Sequence, residues 1–395
     1  MNWPTLRLSE VAEVFNGKTP SKAEQRLSGH PVLKIRDVSE LGELRNNIES
    51  FVDSNLAARY SQKLIREGDS LVLNAAHNAQ YVGSKTYRAD AQSAGMLPTG
   101  EWLIVRADTG KLDSGYKHHW LTSQHTKRQI TELVNGIHLY PKDVARLKLP
   151  VPPLEEQRRI AAILDQTEEL RAKRRAAIAL LDQLPQAIFL EMFGDLITNP
   201  KGWPAGSLTD PSVAVIYGGG TPSRAIPAYF EGDICWATSK DIKRELLMDT
   251  QEHITAEAVA RSATKLVPSG SLLVVVKSKI LARTLPLAIS QVPVCFGQDL
   301  KGIVPKKSES VHYLFHSLKA GERWLLERAR GINTEGLTLE HLRDFPLFIP
   351  PLDLQGRFGA KVEAIHRAKA ANQSALGKLD RLIASLQALA FKGEF

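Results

Sequence analysis

Six short patterns occur twice in this chain, in the same order and at an offset close to 200 residues. Trp3-Pro4 returns as Trp203-Pro204. Gly17-Lys18-Thr19-Pro20-Ser21 returns as Gly219-Gly220-Thr221-Pro222-Ser223. Ile35-Arg36-Asp37-Val38 becomes Ser239-Lys240-Asp241-Ile242, keeping cation, acid and aliphatic residue. Leu64, Gly68, Leu71 and Val72 reappear as Leu266, Gly270, Leu273 and Val274, and Gly136-Ile137 as Gly331-Ile332. Leu149-Pro150-Val151-Pro152-Pro153-Leu154-Glu155-Glu156-Gln157 is matched by Leu347-Phe348-Ile349-Pro350-Pro351-Leu352-Asp353-Leu354-Gln355. One such match is within reach of chance. Six in register imply a duplicated unit, so the 395 residues must fold twice in the same way.

Each unit opens with mixed sequence. β-rich runs fall at 32–35, 70–73 and 101–105 in the first, and at 234–237, 271–276 and 294–296 in the second. A helical stretch follows at 116–134 and again at 311–330. The Pro-Pro-Leu punctuation then ends the mixed part, because proline biases its predecessor away from helix. After it, residues 155–192 and about 354–391 carry apolar side chains at alternating three- and four-residue spacing, the coiled-coil pattern. The seams run through Ile160, Leu181 and Ile188 in the first stretch and Val362, Leu379 and Leu386 in the second. Pro185 is expected to kink or break the last turns. The expected fold is α+β: two similar mixed α/β domains, 1–150 and 196–349, separated by two long helices, 151–195 and 350–395. The helices are expected to lie antiparallel as a coiled coil and to give the molecule a pseudo-two-fold repeat. About 30 helical residues make a rod of roughly 45 Å, or roughly 13 base pairs of duplex.

Charge separates these segments. Residues 1–150 carry 20 basic and 16 acidic side chains and residues 196–349 carry 18 and 15, so both mixed domains are net positive. The whole chain is at +8, compatible with a polyanion but not diagnostic of one. Two cysteines, Cys235 and Cys295, exclude a disulfide framework and fit reduced thiols in a cytoplasm. No signal pattern opens the chain, and no uninterrupted apolar run approaches the length of a membrane span. A cytoplasmic protein with no membrane partner is expected.

Catalytic chemistry is scarce. There is no phosphate-cradling Gly-x-x-x-x-Gly-Lys-Ser/Thr loop, and Gly218-Gly219-Gly220 lacks the context of a dinucleotide fold. The cysteines and histidines lack zinc-ligand spacing, so no metal is expected, and His118-His119 and His138 read as surface or helix residues. Asp233 with Asp241-Ile242-Lys243 only loosely matches a nuclease acid–acid–lysine cluster, and the other copy has no lysine. Asn199-Pro200 starts like an amino-methyltransferase motif but lacks its second proline and stacking aromatic.

The repeated Gly-x-Thr-Pro-Ser turn, the cation-Asp-aliphatic strand end and the Pro-Pro-Leu-x-x-Gln helix start together resemble the specificity subunit of type I restriction–modification systems. Pro152-Pro153-Leu154-Glu155-Glu156-Gln157-Arg158-Arg159-Ile160-Ala161 is the most diagnostic stretch. The second copy departs at Leu354, where a second acid is expected. The resemblance covers nearly the whole chain. It implies two target-recognition domains, each reading one half of a bipartite double-stranded DNA site, with the helix pair setting the gap and docking two methyltransferase subunits. It implies no catalysis and no cofactor in this chain. S-adenosylmethionine would come with the methyltransferase subunits, and ATP and Mg with restriction subunits that translocate and cleave. The alternative is the specificity chain of a related restriction–methylation enzyme with its own or an associated catalytic domain.

On this reading the candidate DNA contacts in the first unit are Lys18, Thr19 and Ser21 at the turn, and Lys34 and Arg36 at the strand end. Asn74, His77, Asn78, Gln80, Tyr81 and Lys85 lie on the loop after a strand. In the second unit they are Thr221, Ser223, Arg224, Lys240, Lys243, Arg244, Lys277, Lys279 and Arg283. Phosphate contacts would hold each domain on the duplex, and loop side chains would read base edges. Retention across the repeat argues that Thr19, Thr221, Asp37 and Asp241 shape turns and caps, whereas the dissimilar loops 74–85 and 276–284 suit sequence readout. The basic run Arg171-Ala172-Lys173-Arg174-Arg175 is either a solvated helix face or an approach to the DNA spacer.

Overall fold

The computed structural model describes residues 3–45, 47–329 and 336–392. The Gly331-Ile332 copy of the repeat lies outside the described residues. The chain divides into two compact units, Met1–Ala176 with Gln373–Phe395, and Ala177–Asn372. The division falls inside both long helices, not at the ends of the mixed domains.

In the first unit a four-stranded antiparallel sheet has the order Ala12–Asn16, Trp102–Ala107, Ser70–Leu73, Thr86–Arg88. A second sheet orders Gln25–Arg26, Phe51–Val52, His30–Leu33 and Leu97–Pro98, the last pair parallel. Ser70–Leu73 is buried along its whole length, which is why it reads as an unbroken short apolar run. The glycine before it, Gly68, sits at φ +83°, a backbone that a side chain rarely adopts.

The second unit repeats this order. Its five-stranded sheet runs Ala214–Gly218, Leu300–Pro305, Leu272–Val275, Leu287–Ser290, Leu246–Leu247. A three-stranded sheet pairs Ile234–Ala237 antiparallel with Glu252–Ile254 and parallel with Val294–Phe296. Gly270 recurs at φ +83° before the central strand. Each unit also ties its first strand to the strand before Pro-Pro: Thr5–Arg7 with Lys148–Pro150, and Ala205–Gly206 with Leu347–Phe348.

The helical stretches after the sheets are each split in two. Ser114–Thr122 and Gln124–Glu132 part at Ser123, whose extended backbone lets its hydroxyl cap Thr126 N. Val311–Ala320 and Glu322–Ala329 part at Gly321. Tyr116 and Tyr313 each donate a hydroxyl hydrogen bond to a carbonyl of the closing strand, Pro150 O at 2.9 Å and Phe348 O at 2.5 Å. His119 is buried rather than on the surface, with Nε2 2.7 Å from Asp165 Oδ1.

The long helices span Leu154–Phe193 and Leu352–Lys392. Pro185 does not end the first; the helix continues through it for two further turns. An 18-residue window of this helix reaches a mean hydropathy of 1.3, enough by length and composition to cross a membrane, although polar residues interrupt it. Its far end is instead committed to a protein core, since Phe189 and Phe193 are fully buried against Tyr313 and Phe358, with ring centroids 4.8–5.8 Å apart.

In the first unit Ile160, Ala161, Leu164 and Ala390 join one core with Leu8, Trp120 and Leu149. In the second, Val362 and Phe358 join Leu272, Leu318 and Leu347. Leu386 and Ile188 pack partly buried on these same cores, whereas Leu181 and Leu379 are half-buried on the middle of the rods. The outer seam positions are therefore covered by the mixed domains as well as by a helix.

Candidate nucleic-acid interface

The repeated turn is a close approach of backbones. A Cβ on Gly17 would lie 2.3 Å from Pro98 O, and one on Gly219 would lie 2.0 Å from Gly297 O, so only glycine fits. Thr19 Oγ1 accepts from Gly100 N at 2.8 Å and donates to Glu101. Asp37 Oδ2 accepts from Lys34 N at 2.7 Å, and Asp241 Oδ2 from Thr238 N at 2.8 Å. These acids organise the strand end, as retention across the repeat had suggested. The Gln of Pro-Pro-Leu-x-x-Gln is equally structural: Gln157 and Gln355 donate to Pro152 O and Pro350 O, both at 2.8 Å.

Several candidate contacts are spent on the fold. Lys85 is 6% exposed, with Nζ 2.9 Å from Val38 O and from Glu40. Burying an ammonium requires such partners, so its charge is turned inward. Asn74 is buried and donates to Asn16 Oδ1 and Gly100 O. Arg224 is gripped bidentately by Glu252 and stacks over Phe230 with its guanidinium 4.1 Å from the ring centroid. Arg36 pairs with Glu49 at 3.3 Å. In the basic helical run, Arg171 is bound by Glu168 of its own helix and by Asp380, and Lys173 by Glu169 of its own helix, so two of its cations already have acidic partners.

The rest are presented outward. Ser21, His77, Asn78, Gln80 and Tyr81 are exposed, and Lys18 and Lys34 are half-buried. Lys18 Nζ stands 5.4 Å from the Tyr60 ring centroid. Lys34 lines a groove of about 640 Å³ together with Arg26, Ser28 and Phe51, and His77 and Tyr81 line a second of about 490 Å³ with Ile137. In the second unit Thr221, Ser223, Lys240, Lys243, Arg244, Lys277, Lys279 and Arg283 are all exposed. Lys243 and Arg244 line a groove of about 650 Å³. Each unit thus exposes polar and cationic side chains, many of them on loops that differ between the copies. The sequence reading missed the loop at Leu27, fully exposed between the strands Gln25–Arg26 and His30–Leu33 that flank Phe51–Val52; Gly29, at φ +131°, was its only local signal as a glycine.

The chain matches the family model described as type I restriction modification DNA specificity domain, over residues 1–180 and again over 200–375. The chain belongs to this family. Among curated specificity subunits, that of the Escherichia coli type I restriction enzyme EcoR124I/EcoR124II is 28% identical over 267 residues, covering 65% of this chain and 64% of that protein. The MjaIX specificity subunit of Methanocaldococcus jannaschii is 30% identical over 134 residues, 32% of this chain and 30% of that one. The matched stretches therefore span less than two thirds of either relative. Two solved structures share the specificity-subunit fold. A type I restriction–modification chain studied for complex assembly and conformational transition has a TM-score of 0.60 at 20% identity, covering 100% of this chain and 98% of that one. The S subunit from Mycoplasma genitalium has a TM-score of 0.61 at 14% identity, covering 99% and 96%.

Cys235, Asp249 and His253 place one ligand atom each within 4.8 Å of the others, although their spacing along the chain matches no zinc pattern. Strand pairing brings them together, with Cys235 directly opposite His253.

Proposed function

We propose that this chain is the DNA-specificity subunit of a type I restriction–modification complex, with each mixed domain reading one half of a bipartite site. The observation that carries the reading is the family match in both halves of the chain, on two units with the same strand order. The exposed residues Ser21, His77, Asn78, Gln80 and Tyr81 and the half-buried Lys34, with the exposed Thr221, Ser223, Lys240, Lys243, Arg244, Lys277, Lys279 and Arg283, would make the contacts. Their amides, imidazole and cations suit base edges and phosphates.

The long helices would form an antiparallel coiled coil, fix the spacer between half-sites and relate the recognition domains by a pseudo-two-fold axis. Two cross-helix ion pairs support this: Arg171 with Asp380, and Asp182 with Lys369. Moving forward along one helix moves backward along the other, as an antiparallel pair requires. The same rod would dock two methyltransferase subunits. These would bring S-adenosylmethionine, and restriction subunits would bring ATP and Mg, so that the complex acts on double-stranded DNA in the cytoplasm while this chain makes and breaks no bonds.

The test is a domain exchange. Replacing residues 1–150 with the corresponding domain of another family member, followed by genome-wide mapping of methylated adenine, should change one half-site and leave the other intact. Unchanged marks, or marks on an unsplit site, would overturn the reading.

A further inference from the structure

We propose that Cys235, Asp249 and His253 form a binding site for a zinc-like divalent cation that pins the edge of the three-stranded sheet in the second unit. Cys235 lies on Ile234–Ala237 and His253 on the edge strand Glu252–Ile254, in direct cross-strand register. Asp249 precedes that edge strand. All three side chains converge on one carboxylate oxygen: His253 Nε2 is 2.8 Å and Cys235 Sγ 3.5 Å from Asp249 Oδ1.

These separations are close to the edges of a tetrahedral zinc site. Zn–N and Zn–O bonds of about 2.0 Å and a Zn–S bond of about 2.3 Å imply donor separations of about 3.3 Å for N···O and about 3.5 Å for S···O. Opening the His253 Nε2–Asp249 Oδ1 separation by about half an ångström, with sulfur and nitrogen brought onto a common centre, would turn the hydrogen-bonded cluster into a ligand set, with water at the fourth position. The donors decide the metal: thiolate and imidazole favour zinc-like ions, whereas magnesium and calcium prefer all-oxygen sites.

The supporting frame is already built. Thr250 N donates to Asp249 Oδ1 at 2.8 Å, which orients the carboxylate. Thr250 Oγ1 accepts from Trp236 N and donates to Glu252 O, locking the turn to both strands. Binding through sulfur requires the thiolate, so the Cys235 thiol proton would leave to solvent when the cation binds.

The repeat supplies an internal control. At the equivalent cross-strand position the first unit pairs Pro31 with Phe51, which offer no donors. The site would thus belong to one half of the molecule alone. Its neighbour Glu252 grips Arg224, so the cation would steady the segment that holds the end of the repeated turn.

Cobalt(II) is the probe, titrated into the purified full-length chain, with zinc in competition. The expected result is one equivalent bound, with a thiolate-to-cobalt charge-transfer band, displaced by zinc. Cys235→Ser should abolish that band, and Asp249→Asn and His253→Gln should each weaken cobalt binding about tenfold or more. Cys295→Ser should leave it in place. Circular dichroism checks the folding of each variant, and should Cys235→Ser unfold, His253→Gln on the edge strand decides the question. Absence of stoichiometric binding, a charge-transfer band that survives Cys235→Ser, or affinity unchanged by His253→Gln would overturn the site. Adenine marks are read separately, so an absent metal with intact marks would leave the recognition role standing.

Discussion

The two units keep the same devices for satisfying backbone and differ in how they fill their interiors. Gly17 and Gly219, Asp37 and Asp241, Gln157 and Gln355, and Tyr116 and Tyr313 do the same work twice. The interior beside the central strand does not match. In the first unit Arg106 makes a buried bidentate pair with Asp69, at 3.0 and 2.7 Å, and Lys117 donates to Gly68 O and Val105 O. Sheet register, which pairs Ser70 with Val105 and Leu272 with Ile303, puts Ser271 and Val304 at the corresponding places, and Leu314 follows Tyr313 where Lys117 follows Tyr116. Duplicated residues thus mark backbone geometry that cannot be made another way, while packing has more than one solution.

The sharpest way to break this comparison is to remove one charge. Asp69→Asn leaves the Arg106 guanidinium without its anion in a place where both side chains are almost fully buried. Burial also holds the Lys117 ammonium down to about 7, with Asp69 the main group opposing that shift. The loss should be about 3–5 kcal/mol, because a buried charge without its partner is costly. Installing the second unit's residues together, Asp69→Ser with Arg106→Val, should recover much of it. Hydrogen exchange of Ser70–Leu73 reads both variants. A single variant within about 1 kcal/mol of the parent would mean that the pair is a bystander.

Much of the frame was legible in the sequence because it is local. The run 70–73 coincides with a fully buried strand, and the helix after each Pro-Pro-Leu begins where proline ends the extended segment. The strands Thr86–Arg88 and Leu287–Ser290 were not legible; they are short, and their partners rather than their composition make them strands. Lys85 and Asn74 look like readers in a polar loop, but their partners Val38, Glu40 and Asn16 are distant in the chain. The Cys235–Asp249–His253 cluster is invisible for the same reason, since register, not spacing, assembles it.

A second contrast lies in the titratable groups where each unit meets a long helix. In the second unit burial pushes His316 down to about 4; the nearby Glu245 carboxylate, 3.7 Å away, only partly opposes this, while the cationic forms of His312, His366 and Lys319 add to it. The unfolded chain therefore binds a proton that the folded one refuses between pH 6.5 and 4. Stability present above 6.5 is lost across that window, by up to about 3 kcal/mol. In the first unit burial raises Asp165, but hydrogen bonds from His119 and Arg88 outweigh it and hold the carboxyl at about 2. Its contribution persists until the pH falls below the usual carboxylate range. Burial also holds His118, on the helix Ser114–Thr122, well below the usual imidazole value, so both helices should loosen in hydrogen exchange at pH 5. His316→Phe should reduce the loosening of Val311–Ala320 and leave that of Ser114–Thr122, and a variant whose Val311–Ala320 loosens as before would count against the role of His316.

The smallest effect tests whether shared residues carry equal weight. Gln355 contributes the bond to Pro350 O, whereas Gln157 also accepts from Asp113 N at 2.8 Å and donates to Lys111 O at 3.0 Å. Both side chains are buried, so a methionine of similar volume isolates the polar loss. Gln355→Met should cost about 1 kcal/mol and Gln157→Met about 2–3 kcal/mol, because the latter strands more buried groups. Urea unfolding of the two variants measures the difference. Equal costs would show that the proline carbonyl alone sets the value of this glutamine, and the extra bonds in the first unit would then be replaceable by water.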